Sequence, residues 1–206
     1  MNSAASQVSP IIQWGWAGSA LQVESGDLHL VVPFDGGVLV ALVDALGHGT
    51  EAAAAATAAV AMLETQAGDS VLALMQRCHE GLRKTRGVAM SLASFDARDS
   101  SMMWTGVGNV ECVLLRAGGT AAQPSEAIAL PGGVVGYSLP SLHAKKLHVA
   151  PGDTLIMTTD GIRSGFTTGI AITIDPQEIA ESVLARFTKG SDDAHVVVAR
   201  YLGNRS

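Results

Sequence analysis

The sequence is poor in aromatic residues, cysteine and charge, and each shortage excludes a class of protein. Aromatic residues are only 4% of the chain, so it lacks the stacking side chains on which single-stranded nucleic-acid binders rely. Cys78 and Cys112 are the only two cysteines, and they form neither a CxxC pair nor a disulfide framework. Reduced thiols in a cytoplasmic protein are the simplest interpretation.

Positive charge and long apolar runs are also missing. The formal net charge is −6, and no cluster of Lys and Arg is large enough for a nucleic-acid partner. Residues 38–43 form the most apolar stretch, which is far too short to span a bilayer. The N-terminus lacks the basic and apolar regions of a signal peptide. We therefore expect a cytoplasmic protein with neither nucleic-acid nor membrane partners.

Small aliphatic residues make up much of what is present. Hydrophobic residues are 48% and charged residues 16% of 206 residues, which is enough for one domain with a sizeable core. We expect a single domain over residues 1–206, with a flexible N-terminus over about residues 1–12.

The order of the elements indicates the fold class. Periodicity and turn residues predict helices at residues 52–66, 70–86 and 176–189. They predict strands at residues 28–33, 37–43, 88–95, 101–106, 110–116, 146–149, 154–158 and 194–202. Thr50 is the predicted N-cap of the first helix, and Gly87 is the predicted end of the second. Because two helices come as a block, the pattern favours an α+β fold of antiparallel sheets with helices packed outside.

Aspartates at predicted strand ends are the strongest chemical signal. They are Asp27, Asp44, Asp160 and the pair Asp192-Asp193. Each is by itself typical of a turn, but carboxylates gathered at one rim of a sheet would repel one another. A hard divalent cation such as Mg²⁺ or Mn²⁺ would offset that repulsion, since it favours carboxylate, carbonyl and water ligands.

Four motifs resemble the bacterial branch of the PPM (PP2C-like) phosphatases that includes SpoIIE. Residues 44–49, DALGHG, are similar to the D-G-[ML]-G-x-G motif of that branch and precede a small-residue helix. Asp27 in GDLHL resembles the first motif, Asp160-Gly161 the later D-G motif, and Asp192 the first acid of the C-terminal D-[DN]-x-[TS] motif. The resemblance covers about residues 13–202.

Shorter segments resemble the RsbX group, the small stand-alone phosphatases that reset stressosomes. These segments are residues 77–79, 86–91 and 106–110. This resemblance implies phosphorylated STAS-domain proteins of a stressosome (RsbS/RsbR-like) as substrates and partners.

The family resemblance implies a fold and a mechanism. The fold would be a PP2C-like α-β-β-α sandwich of two antiparallel sheets flanked by helices. Two Mn²⁺ or Mg²⁺ ions would activate a water that attacks phosphorus without a phosphoenzyme. Asp44 would bridge both ions, and Asp27 would serve the same cluster. The resemblance makes Asp44 and Asp160 the central catalytic residues. The Ala45 carbonyl, Asp160 and Asp192 would complete the metal ligands.

Several residues leave alternatives open. Ala45 replaces the usual glycine, which is acceptable if its φ stays negative and its methyl group finds room. His195 replaces a Thr or Ser, and it either packs at the strand start or hydrogen-bonds near the acids. His48 is either a general acid or a cap of the following helix. Asp193 competes with Asp192 as the ligand, and Asn109 either shapes its turn or assists the site.

Two other functions compete with protein dephosphorylation. The changes at Ala45 and His195 would also suit a catalytically inactive relative that binds a partner without turnover. A phosphoesterase for small molecules is the third hypothesis, and it predicts a pocket that closes over the substrate.

Overall fold

The structure is a computed structural model that describes residues 7–9, 11–118, 126–127 and 130–203. The elements in these ranges are β1 (Gln7–Val8), β2 (Ile12–Ser19), β3 (Asp27–Phe34), β4 (Gly37–Ala45), α1 (Thr50–Thr65), α2 (Val71–Gly81), β5 (Val88–Asp96), β6 (Ser101–Val107), β7 (Glu111–Leu115), β8 (Glu126–Ala127), β9 (Lys145–His148), β10 (Thr154–Thr158), α3 (Pro176–Phe187) and β11 (Ala194–Tyr201).

The first two helices differ from the prediction at their ends. The N-cap of α1 is Gly49, not Thr50, and no side chain caps the helix. Helix α2 is capped by the Ser70 side chain, which decides between Asp69 and Ser70 as its predicted start, and it ends at Gly81. The prediction that α2 runs to about Arg86 was wrong because residues 82–87 leave the helix and lead into β5. Helix α3 begins with Pro176 at a position where a missing N–H costs nothing.

Strand β2 was missed by the sequence pattern. Its alternating Gly and Trp residues give a weak strand signal, since glycine has low strand propensity. Strand β2 pairs antiparallel with β11 along its whole length, and α3 packs closely on it: a Cβ on Gly15 would lie 2.5 Å from the Gln177 backbone. Strand β1 falls within the segment predicted to be flexible, whereas residues 1–6 and 10 lie outside the described residues.

Two antiparallel sheets form the centre of the fold. One has the order β1-β2-β11-β10-β7-β8 and the other the order β3-β4-β5-β6-β9. Between them lies a core that includes Trp104, Phe95 and Tyr201. Helices α1 and α2 cover the outer face of the second sheet, and α3 covers the outer face of the first. The predicted α-β-β-α sandwich is confirmed.

One edge of the sandwich gathers the predicted site. Strand β3 begins at Asp27 and β4 ends at Ala45 in one sheet, while β10 ends at Thr158 and β11 begins at Ala194 in the other. Antiparallel pairing brings the two ends of each sheet together, and the hydrogen bond from Thr159 to Asp27 joins the two sets of ends. Among the described helices, none is both long and apolar enough to cross a bilayer.

Candidate active site

Asp27 and Asp44 form the centre of this edge. They lie directly opposite each other in the β3–β4 pair, and Asp27 is buried with 3% of its surface exposed. The Thr159 hydroxyl donates a 2.7 Å hydrogen bond to the Asp27 carboxylate. The same hydroxyl oxygen accepts from the His195 backbone N–H at 2.9 Å, so one threonine side chain links the two sheets at the site.

Burial and mutual repulsion make both carboxylates hard to ionise. Burial raises the pKa of Asp27 to about 7, and the charges of nearby aspartates add to the shift although the Thr159 hydrogen bond opposes it. Burial raises the pKa of Asp44 to about 8, and Asp27 is the next cause, followed by Asp160, Asp192 and Asp193. The acids singled out in the sequence therefore interact electrostatically in the fold.

The segment after β10 places Asp160 at the rim. A Cβ on Gly161 would lie 1.9 Å from the Asp193 carbonyl oxygen, so only glycine lets the two strand ends approach this closely. Asn109 donates a 2.7 Å hydrogen bond to the Asp160 carboxylate, and the Lys189 ammonium donates to the Asp160 backbone carbonyl. Asn109, predicted either to shape a turn or to assist, thus contacts a site carboxylate.

Asp192 and Asp193 have different surroundings. Asp193 is 4% exposed, and its two oxygens accept from the backbone N–H groups of Leu21 at 2.7 Å and Gly26 at 2.8 Å. It therefore ties the β2–β3 loop to the start of β11. Asp192 is exposed, with one oxygen accepting from the Asp193 N–H. Asp192 is the acid of the pair whose carboxylate is open to solvent.

The turn after β4 brings backbone carbonyls toward the acids. A Cβ on Gly26 would lie 3.3 Å from the Gly47 carbonyl oxygen and 3.4 Å from that of Ala45, so the glycine leaves space beside both oxygens. Ala45 is 1% exposed and its methyl packs in the core under α1. Among the described non-glycine residues only Ser100 has a positive φ. Both conditions for an alanine at this position are therefore met.

The histidines of the site divide into one exposed residue and one pair whose rings contact each other. His48 is exposed in the turn before α1 and does not cap that helix. The His195 and His29 rings share a 2.9 Å hydrogen bond, and Trp16 stacks on His195 with ring centroids 5.2 Å apart. The ring of His195 therefore packs, while its backbone N–H reaches the site through Thr159.

The donors at this edge suit a hard cation. In the ion pairs of the described residues, no Lys or Arg partners Asp27 or Asp44. Nor does any group of three or more His, Cys, Asp or Glu side chains in those ranges form a preformed metal shell. Paired carboxylates beside backbone carbonyl oxygens suit Mg²⁺, which usually keeps several waters and uses one or two protein carboxylates.

Sequence reasoning missed two residues of this edge. Thr159 was not singled out, although a hydroxyl side chain immediately before Asp160 at a strand end was a usable signal. Lys189 was read only as part of a helix end, and its contact with Asp160 depends on the bend after α3.

Comparisons with known proteins agree with the fold and show the family. The family model described as "Stage II sporulation protein E (SpoIIE)" matches residues 35–202. The phosphoserine phosphatase RsbX of Bacillus subtilis (strain 168) is 26% identical over 183 residues, covering 85% of this chain and 86% of RsbX.

Solved structures with a similar fold include two that are related to the stressosome or to RsbX. A chain from a study of the bacterial stressosome as a modular system adapted to control secondary messenger signalling is 29% identical, with a TM-score of 0.82. The match covers 92% of this chain and 99% of that one. A crystal structure of RsbX in complex with magnesium also has a TM-score of 0.82, at 19% identity over 95% and 98% of the two chains. The chain belongs to the SpoIIE family of PP2C-like phosphatases.

Proposed function

We propose that this chain is a metal-dependent protein serine/threonine phosphatase. The observation that carries the proposal is the pair Asp27–Asp44. Burial first, and neighbouring aspartates after it, raise the pKa of each carboxyl group, and in the described residues no Lys or Arg forms an ion pair with either one to supply positive charge. A divalent cation would supply that charge. The relation to RsbX, a phosphoserine phosphatase, supports the same chemistry.

Two Mn²⁺ or Mg²⁺ ions are the proposed cofactors. Asp44 would contact both, Asp27 would bind beside it, and the Ala45 carbonyl, Asp160 and Asp192 would complete the ligand set. When bound, such ions lower the pKa of water and offset charge on the phosphoryl oxygens. The chain itself would orient this set: Thr159 fixes the Asp27 carboxylate, Asn109 fixes that of Asp160, and Asp193 holds the loop beside them.

The exposed residues of the rim support a protein as the substrate. Leu46 is 41% exposed, Leu21 49% and Val23 fully exposed, and all three lie in the two loops that flank the acids. An open rim with exposed apolar side chains suits contact with a folded protein. A site for a small molecule would instead be a closed pocket. The relation to RsbX and the stressosome chain supports phosphorylated STAS-domain proteins as that partner, and a cytoplasmic location follows from this proposal.

His48 is the proposed general acid. It is exposed in the turn that follows Asp44, where it could reach the leaving oxygen of a bound phosphoester. His195, in contrast, is proposed to be structural because its ring is held by His29 and Trp16.

Hydrolysis of p-nitrophenyl phosphate and of a phosphorylated STAS domain tests the proposal. We expect turnover that requires Mn²⁺ or Mg²⁺ and is lost in Asp44→Asn and Asp160→Asn. Equal activity in the wild type and both variants would refute the assignment. Metal binding and partner binding without turnover would favour an inactive, partner-binding relative.

A further inference from the structure

Arg86 lies against the turn that follows Asp44, on the segment between α2 and β5. A Cβ on Gly47 would lie 2.6 Å from Nη1 of Arg86, so the guanidinium rests directly on the Gly47 backbone. The Leu46 N–H donates to the Gly87 carbonyl at 3.2 Å, which fixes the same segment to the same turn. The position of Arg86 is therefore coupled to that of the turn.

Glu51, in the first turn of α1, orients the guanidinium. Its Oε2 accepts from Nε of Arg86 and lies near Nη2, both at 2.7 Å. A guanidinium has five N–H donors in a rigid plane, and these contacts use only the edge formed by Nε and Nη2. Within the described residues no hydrogen-bond acceptor is recorded for Nη1, which faces Gly47.

The ion pair contributes little to folding. The Arg86 side chain is 46% exposed and that of Glu51 74% exposed, and such surface pairs have small effects on stability because solvent screens them. What the pair does is hold a cationic donor against the turn that follows Asp44. A phosphomonoester dianion approaching those carboxylates needs such a donor, and arginine matches phosphate oxygens in geometry as well as charge.

We propose that Arg86 binds the phosphoryl group of the substrate and that Glu51 is the positioning residue that holds it. This inference rests on the proposed phosphatase function, and it assigns to Arg86 a role that the aspartates do not have. Arg86 acts on the phosphate oxygens, whereas the aspartates act on the cations.

Two measurements test this role: the KM for p-nitrophenyl phosphate and the affinity for inorganic phosphate of the Mg²⁺-loaded protein, obtained by calorimetry. In Arg86→Ala we expect both to weaken about ten- to a hundredfold, the range for losing a hydrogen bond to a charged group. Arg86→Lys should recover part of the loss because it restores the charge without the planar fork. Glu51→Gln should weaken phosphate binding less than Arg86→Ala does.

Arg83→Ala is the matched control, since Arg83 is exposed on the same segment and its removal changes the net charge equally. Unfolding temperatures show whether each variant is folded. Phosphate affinity in Arg86→Ala equal to that in Arg83→Ala would overturn the inference, as would a wild-type protein that binds no phosphate. A wild type that binds phosphate through Arg86 but shows no turnover would instead contradict the phosphatase proposal alone.

Discussion

Buried aspartates occur near both ends of β10, and they differ in whether a positively charged side chain partners them. At the start of the strand, Asp153 is 3% exposed and accepts from Arg116 at 2.8 Å and from the backbone N–H groups of Ala117 and Ala150. At the other end, Asp27 and Asp44 face each other, and neither forms an ion pair with a Lys or Arg of the described residues. The charge of Asp153 is balanced within the protein, whereas Asp27 and Asp44 are the proposed site for an added cation.

Exchanging each type of aspartate for asparagine should separate the two roles. Asp27→Asn should lower kcat/KM by about a hundredfold or more because it removes a proposed metal ligand. Asp153→Asn should instead lower the free energy of unfolding by about 2 kcal/mol, since it removes the carboxylate charge that accepts from Arg116, Ala117 and Ala150. Arg116 keeps Glu126 as an ion-pair partner, and turnover should stay intact. Enzyme assays and denaturant unfolding of both variants measure the two effects.

The comparison would fail if the outcomes were reversed. A fully active Asp27→Asn variant, or an Asp153→Asn variant of normal stability and reduced turnover, would show that the uncompensated pair is not the functional one.

The pH dependence of stability should differ between metal-free and metal-loaded protein. The folded-state pKa values of Asp27 and Asp44 are raised to about 7 and about 8, so their contribution to stability is present at low pH and is lost as the pH rises through these values. Each group should cost up to about 1.4 kcal/mol per pH unit between its unfolded and folded pKa. Thermal unfolding from pH 5 to pH 8 in EDTA should show this decline.

Saturating Mg²⁺ should remove most of this fall in stability between pH 5 and pH 8. The bound cation would offset the charge of Asp27 and Asp44 once they have lost their protons. The Asp44→Asn variant should show a shallower decline in EDTA. Stability in EDTA that rises from pH 5 to pH 8 would contradict the account.

The close approach at Gly161 should be sensitive to a single methyl group. Gly161→Ala would place a Cβ 1.9 Å from the Asp193 carbonyl oxygen, and such overpacking should cost about 2 kcal/mol while displacing Asp160 from the rim. Gly132→Ala is the control, since its Cβ would meet none of the described residues within 4 Å. Equal stability and equal turnover in the two variants would mean that the strand ends are less constrained than the geometry indicates.

The smallest effect is expected at Thr159. Thr159→Val removes the hydroxyl that donates to Asp27 and accepts from the His195 N–H, which should cost about 1–2 kcal/mol of stability. Thr159→Ser retains the hydroxyl and should recover most of it. A serine variant no better than the valine variant would assign the effect to packing of the methyl group.

Much of this architecture was predictable because it is local in sequence. The five strands predicted between residues 88 and 158 are bounded by turn residues, and the structure confirms each of them within one or two residues, whereas the short strand β8 was not predicted. Strand β2 was not predictable in this way, because Gly15 and Gly18 make poor strand residues until α3 and β11 pack against them. The early end of α2 at Gly81 was missed because residues 82–86 remain compatible with a helix.

The gathering of the acids was predictable from the sequence, but the contacts that support them were not. Asp27, Asp44, Asp160 and Asp192 were singled out from strand ends and family motifs, and electrostatic coupling places them near one another. The contacts of Thr159 with Asp27 and of Arg86 with Gly47 join residues 132 and 39 positions apart in the chain. Such contacts depend on how the two sheets and the turn are packed, which periodicity does not report.

Calorimetric titration with Mn²⁺ at pH 7 most directly tests whether the uncompensated pair is a metal site. The wild type and Asp153→Asn should bind Mn²⁺ equally, and binding should release protons because Asp44 is largely protonated at that pH. Titrations in buffers of different ionisation heat would report that release. Asp44→Asn should bind at least about tenfold more weakly. Equal Mn²⁺ affinity in the wild type and Asp44→Asn would contradict the account.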